Sequence, residues 1–289
     1  MKMMKKIALP AILLIFWACD KVDDPIPKRI SAEIGEVIDS SFSVSSDGKR
    51  FVLVEEFTGH KCNNCPESAE FIEELSSARG NAMIAVSIHA GVFAEPLPGD
   101  KFNTDFRTPA GDIYDEDFEV LSYPRAMISR RTVDGNIAIR DNKWEAEIDA
   151  ILNTSAVADI EIRNLLGDKN AIESRVIINW LQNIEEPLNL QLFFIEDKVV
   201  DWQEDRRKDP IAVPDYEHRH VLRQAINGTF GQSLEQAVAN TSDTVVVSYP
   251  IPSNVIEVNN CTVVAFIFKP GPDDYEVLQV NEAHATSAH

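Results

Sequence analysis

The chain has 289 residues, of which 44% are hydrophobic and 26% charged, and its formal net charge is −20. That length admits one large or two ordinary domains, and the composition excludes a disordered or fibrous chain. With 27 Lys and Arg against 47 Asp and Glu, general electrostatic binding to nucleic acid or to anionic lipid is excluded, although the sign of the charge names no partner.

The N-terminus differs from the rest. Lys2, Lys5 and Lys6 precede an apolar core from Ile7 to Trp17. The core is too short to span a bilayer as a stable helix, so residues 1–18 read as a signal peptide. Phe16-Trp17-Ala18-Cys19 resembles a bacterial lipobox, which makes Cys19 the expected lipidation site and the lipid an anchor that does not span the membrane. Residues 19–40 begin with charges and prolines (Asp20 to Pro27) and are expected to form an extended tether. Export implies a compartment where disulfides persist. Besides Cys19 the chain holds Cys62, Cys65 and Cys261, and the apolar run Cys261–Phe268 predicts a buried, inert thiol for the last.

Further along, Phe51–Phe57 reads as a buried strand, 67–79 as an amphipathic helix and 83–88 as a second buried strand. Alternation of strand and helix predicts parallel pairing through a right-handed crossover. Residues 91–118, rich in Gly, Pro and Asp, read as an insertion with room for short helices. Two short strands flank Asp134-Gly135, a hairpin turn signal, and 143–152 reads as a closing helix. Beyond residue 155 come seven strand candidates: 159–163, 172–180, 188–195, 218–225, 244–249, 262–268 and 275–280. One helical turn is expected at 234–239. The expected architecture is an α/β domain over 41–155 followed by an all-β, immunoglobulin-like sandwich over 156–289.

Cys62-Asn63-Asn64-Cys65 stands between the first strand and the first helix. Unpaired N–H groups and the dipole at a helix N-terminus favour thiolate over thiol, and a two-residue spacer lets the second sulfur attack a mixed disulfide on the first. Cys62 is then the nucleophile and Cys65 the resolving thiol. His60 and Lys61 are expected to add positive potential beside them. A static disulfide that staples the loop is an equally open reading of the pair. No second pair of ligands at zinc spacing follows, so no metal and no cofactor is expected there. His218 and His220, two apart on an expected strand, either share a face and a metal or belong to a polar strand edge that covers the domain boundary. His89 ends the second strand, within expected reach of the cysteines.

Over residues 50–153 the order of elements, with Leu53-Val54-Glu55-Glu56-Phe57 leading to Cys62, resembles the thioredoxin superfamily. The resemblance implies that Glu56 is the buried acid assisting proton transfer and that Tyr123-Pro124 is a cis-proline loop facing the cysteines. Tyr123 and Lys61 are then expected to border the substrate. Lys61 replaces the usual aromatic residue before the first cysteine, and Asn63-Asn64 replaces the common Gly-Pro.

More specifically, Glu55 to Pro66, Tyr123 to Arg130, and His218 to Arg223 with Gly228 resemble the outer-membrane-protein-28-related lipoproteins of Bacteroidetes. This implies a lipid-anchored protein of the outer membrane, on its periplasmic or cell-surface face, and no settled activity. Two functions are expected. One is thiol–disulfide exchange with exported or surface proteins through Cys62 and Cys65. The other is surface binding or adhesion, with the same cysteines as a structural bridge.

Overall fold

The computed structural model describes residues 31–271 and 274–287. The expected signal peptide and the expected lipidation site Cys19 lie outside the described residues. The fold is β-rich with some helices. In chain order the elements are β1 (Val37–Phe42), β2 (Val52–Thr58), α1 (Cys65–Arg79), β3 (Met83–His89), α2 (Gly91–Ala94), α3 (Pro109–Asp117), β4 (Arg125–Ile128), β5 (Ala138–Ile139) and α4 (Trp144–Leu152). There follow β6 (Ala158–Gly167), β7 (Ala171–Trp180), β8 (Asn189–Glu196), β9 (Val199–Glu204), β10 (Ala212–His218), β11 (Val221–Ala225), β12 (Gln232–Ser233), β13 (Ser242–Pro250), β14 (Cys261–Phe268) and β15 (Val277–His284).

The two stretches that composition sets apart share one sheet. Its order is β15-β14-β8-β11-β3-β2-β4-β5, with β12 also paired to β8. The join is a parallel contact of β11 with β3, Val221 opposite Ser87, in which the Ser87 N–H donates to the His220 carbonyl at 2.8 Å. A second, antiparallel sheet of order β1-β6-β7-β13 packs on one face of it. Side chains alternate along a strand, so one strand feeds two cores. In β8, Leu190, Leu192 and Phe194 face the smaller sheet with Ile160, Val176 and Trp180. Phe193 and Ile195 enter a second core with Leu53, Phe57, Val86 and Tyr114. A strand buried on both faces needs a continuous apolar run, and β14 is buried at every position.

In β2 the pleat separates two adjacent glutamates. Val52 and Val54 pack with Ile72, Leu75, Trp144 and Ile148 from α1 and α4, so Glu56 belongs to that face. Leu53 and Phe57 share the other face with Glu55. There Glu55 takes a two-point ion pair from Arg130, at 2.8 and 2.6 Å, and neither side chain reaches solvent. Four rings surround the guanidinium, with Tyr114, Phe118, Phe266 and Phe268 centred 5.0 to 5.5 Å from it. Arg130 reaches this position from a left-handed backbone (φ 53°) just beyond β4. The pair and its rings therefore draw on β2, α3 and β14 at once.

Three expectations are corrected. The tether ends earlier than residue 40: Ala32 donates to the Ser248 carbonyl beside β13, and β1 pairs with β6, so backbone pairing rather than side-chain burial holds it. The helical turn at 234–239 is absent, since Leu234 and Ile184 use their N–H groups on Leu188 and Ala237 and extend that segment beside β8. The strand at 218–225 is broken at His220 (φ 53°), where the chain leaves β10 and enters β11. By contrast, the Asp134-Gly135 turn has both residues at positive φ (49° and 78°), as such a hairpin requires.

Truncating one partner of a buried ion pair leaves the other charge stranded. Arg130→Met should therefore cost about 3–5 kcal/mol in urea denaturation, and Glu55→Leu combined with Arg130→Met should cost less than Arg130→Met alone. Equal losses for the single and double variants would remove the ion pair from this account.

Candidate functional site: a disulfide beneath a strap

Cys62 and Cys65 form a disulfide with Cα atoms 5.4 Å apart, and Cys65 opens α1 with Pro66 just behind it. The loop that leads into it is held by tight backbone packing. Lys61 donates to the Phe93 carbonyl in α2 at 3.0 Å. A Cβ at Gly59 would stand 2.4 Å from the Phe93 carbonyl carbon, so only glycine lets α2 come this close. The Tyr123–Pro124 bond is cis. Arg125 pairs with Phe57, which puts Pro124 beside the C-terminal end of β2, where the cysteine loop begins. Tyr123 packs against Phe57 and Phe93 and donates its hydroxyl to Asp115 at 2.6 Å.

Neither cysteine is open: Cys62 is 3% and Cys65 2% exposed. The cover is an antiparallel ribbon, β9 with β10, that leaves the large sheet after β8 and returns to it at β11. The Glu204 N–H donates to the His60 carbonyl at 2.8 Å, and the Arg206 N–H to the Asn63 carbonyl at 2.9 Å. The buried Gln203 amide donates to the carbonyls of Cys62 at 3.0 Å and Gly59 at 3.3 Å. Outside, arginines tie the strap to α1. Arg206 meets Glu67, Arg207 grips Glu70 with two bonds of 2.6 and 2.7 Å, and Arg219 meets Glu73. Three-residue spacing puts these glutamates along one face of the helix, and each exposed pair is worth about 1 kcal/mol or less.

Between α1 and the strap lies a cleft of about 590 Å³, lined by Cys65, Glu56, Ser87, His89, Tyr216 and His218 among others. Glu56 is buried in its floor, and its Oε1 has no hydrogen-bond partner among the described residues. Burial pushes its pKa up to about 8; His220 pulls it down somewhat and Glu73 adds to the rise. At neutral pH this carboxyl holds its proton. His89 and His218 stand with ring centres 5.4 Å apart, and each lies 5.0 Å from the ring of Phe106, in the segment between α2 and α3. Burial lowers His218 to about 4, against the pull of Asp201, and lowers His89 well below the usual histidine range, with His218 next in effect.

The placement of the sequence-expected residues is therefore mixed. Cys65, Glu56 and His89 line one cleft, whereas Cys62 and Lys61 are not in its lining: Lys61 is held by α2, and the Cys62 carbonyl by Gln203 of the strap. His60 does not supply positive potential: burial lowers its pKa, and it packs neutral against Phe102 and Phe106. His218 and His220 both line the cleft but take different partners, because the backbone at His220 is left-handed (φ 53°) and leaves the strand. His218 goes inward to His89, and His220 pairs with Glu73 at 2.9 Å and Asp197 at 3.2 Å. Among the described residues no three His, Cys, Asp or Glu side chains stand together as a metal site. Cys261 is buried, its thiol donates to the Glu257 carbonyl at 3.4 Å, and burial, then Glu196, raises its pKa. The strap itself carried no strand signal: Asp205-Arg206-Arg207-Lys208-Asp209-Pro210 reads as a charged loop.

Residues 111–288 match the family described as outer membrane protein Omp28. The chain belongs to the Omp28 family. The match starts inside α3, so it takes in Pro124, the strap and His218 but not Glu56, Cys62 or Cys65. No curated protein matches the chain. Two solved structures are similar to this Omp28 member. HBP35 of Porphyromonas gingivalis is 16% identical, with a TM-score of 0.58 over 81% of this chain and 75% of that one. Protein AGR_C_4864 from Agrobacterium tumefaciens is 13% identical, with a TM-score of 0.53 over 82% and 96% of the two chains. At such identities the likeness is one of fold alone.

A carboxyl that holds its proton to about pH 8 when folded, but only to about 4.5 when unfolded, makes the fold lose stability as pH rises between those values. The slope approaches about 1.4 kcal/mol per pH unit and flattens above pH 8. Urea denaturation of Glu56→Gln at pH 6.5 and 8 should show that this loss has gone. A loss as large as in the parent protein would mean that Glu56 is ionised in the fold.

Proposed function

We propose that this Omp28 member is a lipid-anchored protein of the outer membrane whose thioredoxin-like half exchanges thiols and disulfides with exported proteins at Cys62 and Cys65. The observation that carries the reading is the protonated, buried Glu56 in the same cleft as Cys65. A disulfide kept only as a staple has no use for a proton store beside one of its sulfurs.

In the forward direction a partner thiolate attacks Cys62 Sγ. The S–S bond breaks and its electron pair leaves on Cys65 Sγ, which takes the proton from Glu56. A second thiolate of the partner then attacks the partner's own sulfur in the mixed disulfide. The partner leaves with a new disulfide, and Cys62 is released as a thiolate at the N-terminus of α1, where unpaired N–H groups stabilise it. The partner is oxidised by two electrons and the cysteine pair reduced by two; run backwards, the same steps reduce a partner disulfide.

One observation favours the rival reading, a surface binding protein with a static bridge: both cysteines are buried. Turnover separates the two. The mature chain should oxidise or reduce a dithiol test peptide, Cys62→Ser should abolish this, and Cys65→Ser should trap a mixed disulfide on Cys62. Turnover that survives Cys62→Ser defeats the assigned roles, and absence of both turnover and trapped adduct favours the static bridge. The anchor has its own check. Cys19→Ala should move the protein from the detergent phase to the aqueous phase on Triton X-114 partitioning, and an unchanged distribution would remove the lipid.

A further inference from the structure

The strap engages the carbonyls of Gly59, His60, Cys62 and Asn63, which are the groups flanking the disulfide that an incoming polypeptide backbone would meet first. It donates to them as an added chain would. We propose that the β9–β10 strap is a built-in gate occupying the partner's place over Cys62, and that acid opens it by charging His218 on its underside. The proposal rests on the exchange reading for the identity of the partner, but the gate is a property of the fold that is measurable without one.

Geometry makes His218 the trigger. It is the last residue of β10 and 4% exposed, and its Nε2 has no hydrogen-bond partner among the described residues. Phe106 from the segment between α2 and α3, Tyr216 from its own strand (ring centres 4.8 Å apart) and His89 from β3 enclose it. The charged and titratable groups acting on it are His89 from β3, His60 from the cysteine loop, Asp201 from β9 and Arg223 from β11. Asp201 and a backbone hydrogen bond with Trp202 favour a proton there, while His60 and Arg223 oppose it and burial opposes it most. His89 sits in the same apolar enclosure, and a charge on either ring disfavours one on the other. When the strap lifts, His218 meets water and regains an ordinary affinity for protons. Below about pH 6.5 the open form therefore takes up a proton that the closed form refuses, so acid favours opening. The ties to α1 that resist opening are the three exposed arginine–glutamate contacts, which are weak, and the His220–Glu73 contact at the strap's end, which acid strengthens and which therefore works against His218.

The test is the rate at which tris(carboxyethyl)phosphine reduces the disulfide of the full mature chain, divided by its rate on oxidised glutathione at the same pH. The phosphine attacks one sulfur, the S–S bond breaks, and water supplies the oxide's oxygen and the two thiol protons. From pH 7.5 to 5 the normalised rate should rise about tenfold or more. His218→Phe keeps an aromatic side chain without a proton site and should abolish the rise. Arg207→Ala should raise the rate at both pH values and keep the acid increment. Amide exchange of Glu204 and Arg206 in the parent protein, corrected for intrinsic chemistry, should show lost protection at pH 5, and it decides the matter if His218→Phe does not fold. A normalised rate unchanged with pH, a full acid rise in His218→Phe, or strap amides equally protected at both pH values would each overturn the gate. Turnover of the test peptide without gating sinks only this inference, whereas gated phosphine reduction without peptide turnover sinks only the exchange reading.

Discussion

The pleat of β2 forces Glu55 and Glu56 to opposite faces of the sheet, and the rest of the molecule is organised around what each face offers. Glu55 meets Arg130 and keeps a charge partner inside a cage of four rings. Glu56 points toward α1, where the described residues give its Oε1 no partner. A buried carboxyl without a cation answers burial by keeping its proton. Two identical side chains, one peptide bond apart, thus become a structural ion pair and a proton store. The ion pair joins β2 to the segment after β4, and the rings around it come from α3 and β14, so this face of the sheet is held by a contact that reaches into the C-terminal part of the chain.

That reach explains why the two stretches do not form separate units in the sheet. β3 completes one edge by pairing with β11, and Phe193, Ile195, Val264 and Phe266 share a core with Leu53, Val86 and Tyr114. Strands β8 and β14 are buried at nearly every position because both of their faces are covered. The strap is a consequence of this join. To pass from the end of β8 to the start of β11, beside β3, the chain makes an excursion over the cysteine loop.

Much of the site was legible because its signals are local. The run Phe51–Phe57, the cysteine spacing, the helix after Pro66 and the Asp134-Gly135 turn each declare themselves within a few residues, and so does the parity that sends Glu56 rather than Glu55 toward α1 once the helix is placed. What was not legible depends on partners far along the chain. β1 buries only Ser41 and is held by pairing with β6, more than a hundred residues away. β9 and β10 carry charges, a proline and only partial burial, so no periodicity marks them. His60 reads as a cation beside a thiol until Phe102 and Phe106 are folded over it. His218 and His220 read as a pair until the left-handed backbone at His220 gives them different partners.

The boundary of the family match has a physical meaning in this light. The residues shared with the Omp28 family supply the strap, the gating histidine, Pro124 and the sheet behind them, while the sulfurs and the proton store come from the stretch before residue 111. Chemistry and cover therefore come from different parts of one chain. Belonging to the family does not by itself carry the thiol pair, and the thiol pair does not by itself explain the strap. A ribbon that spends backbone donors on the loop of a disulfide already stable in an oxidising compartment is an unneeded constraint if the bridge is only a staple. It becomes intelligible if access to Cys62 has to be withheld until conditions change, because a buried neutral histidine at the strap's end responds to acid while the disulfide it guards does not.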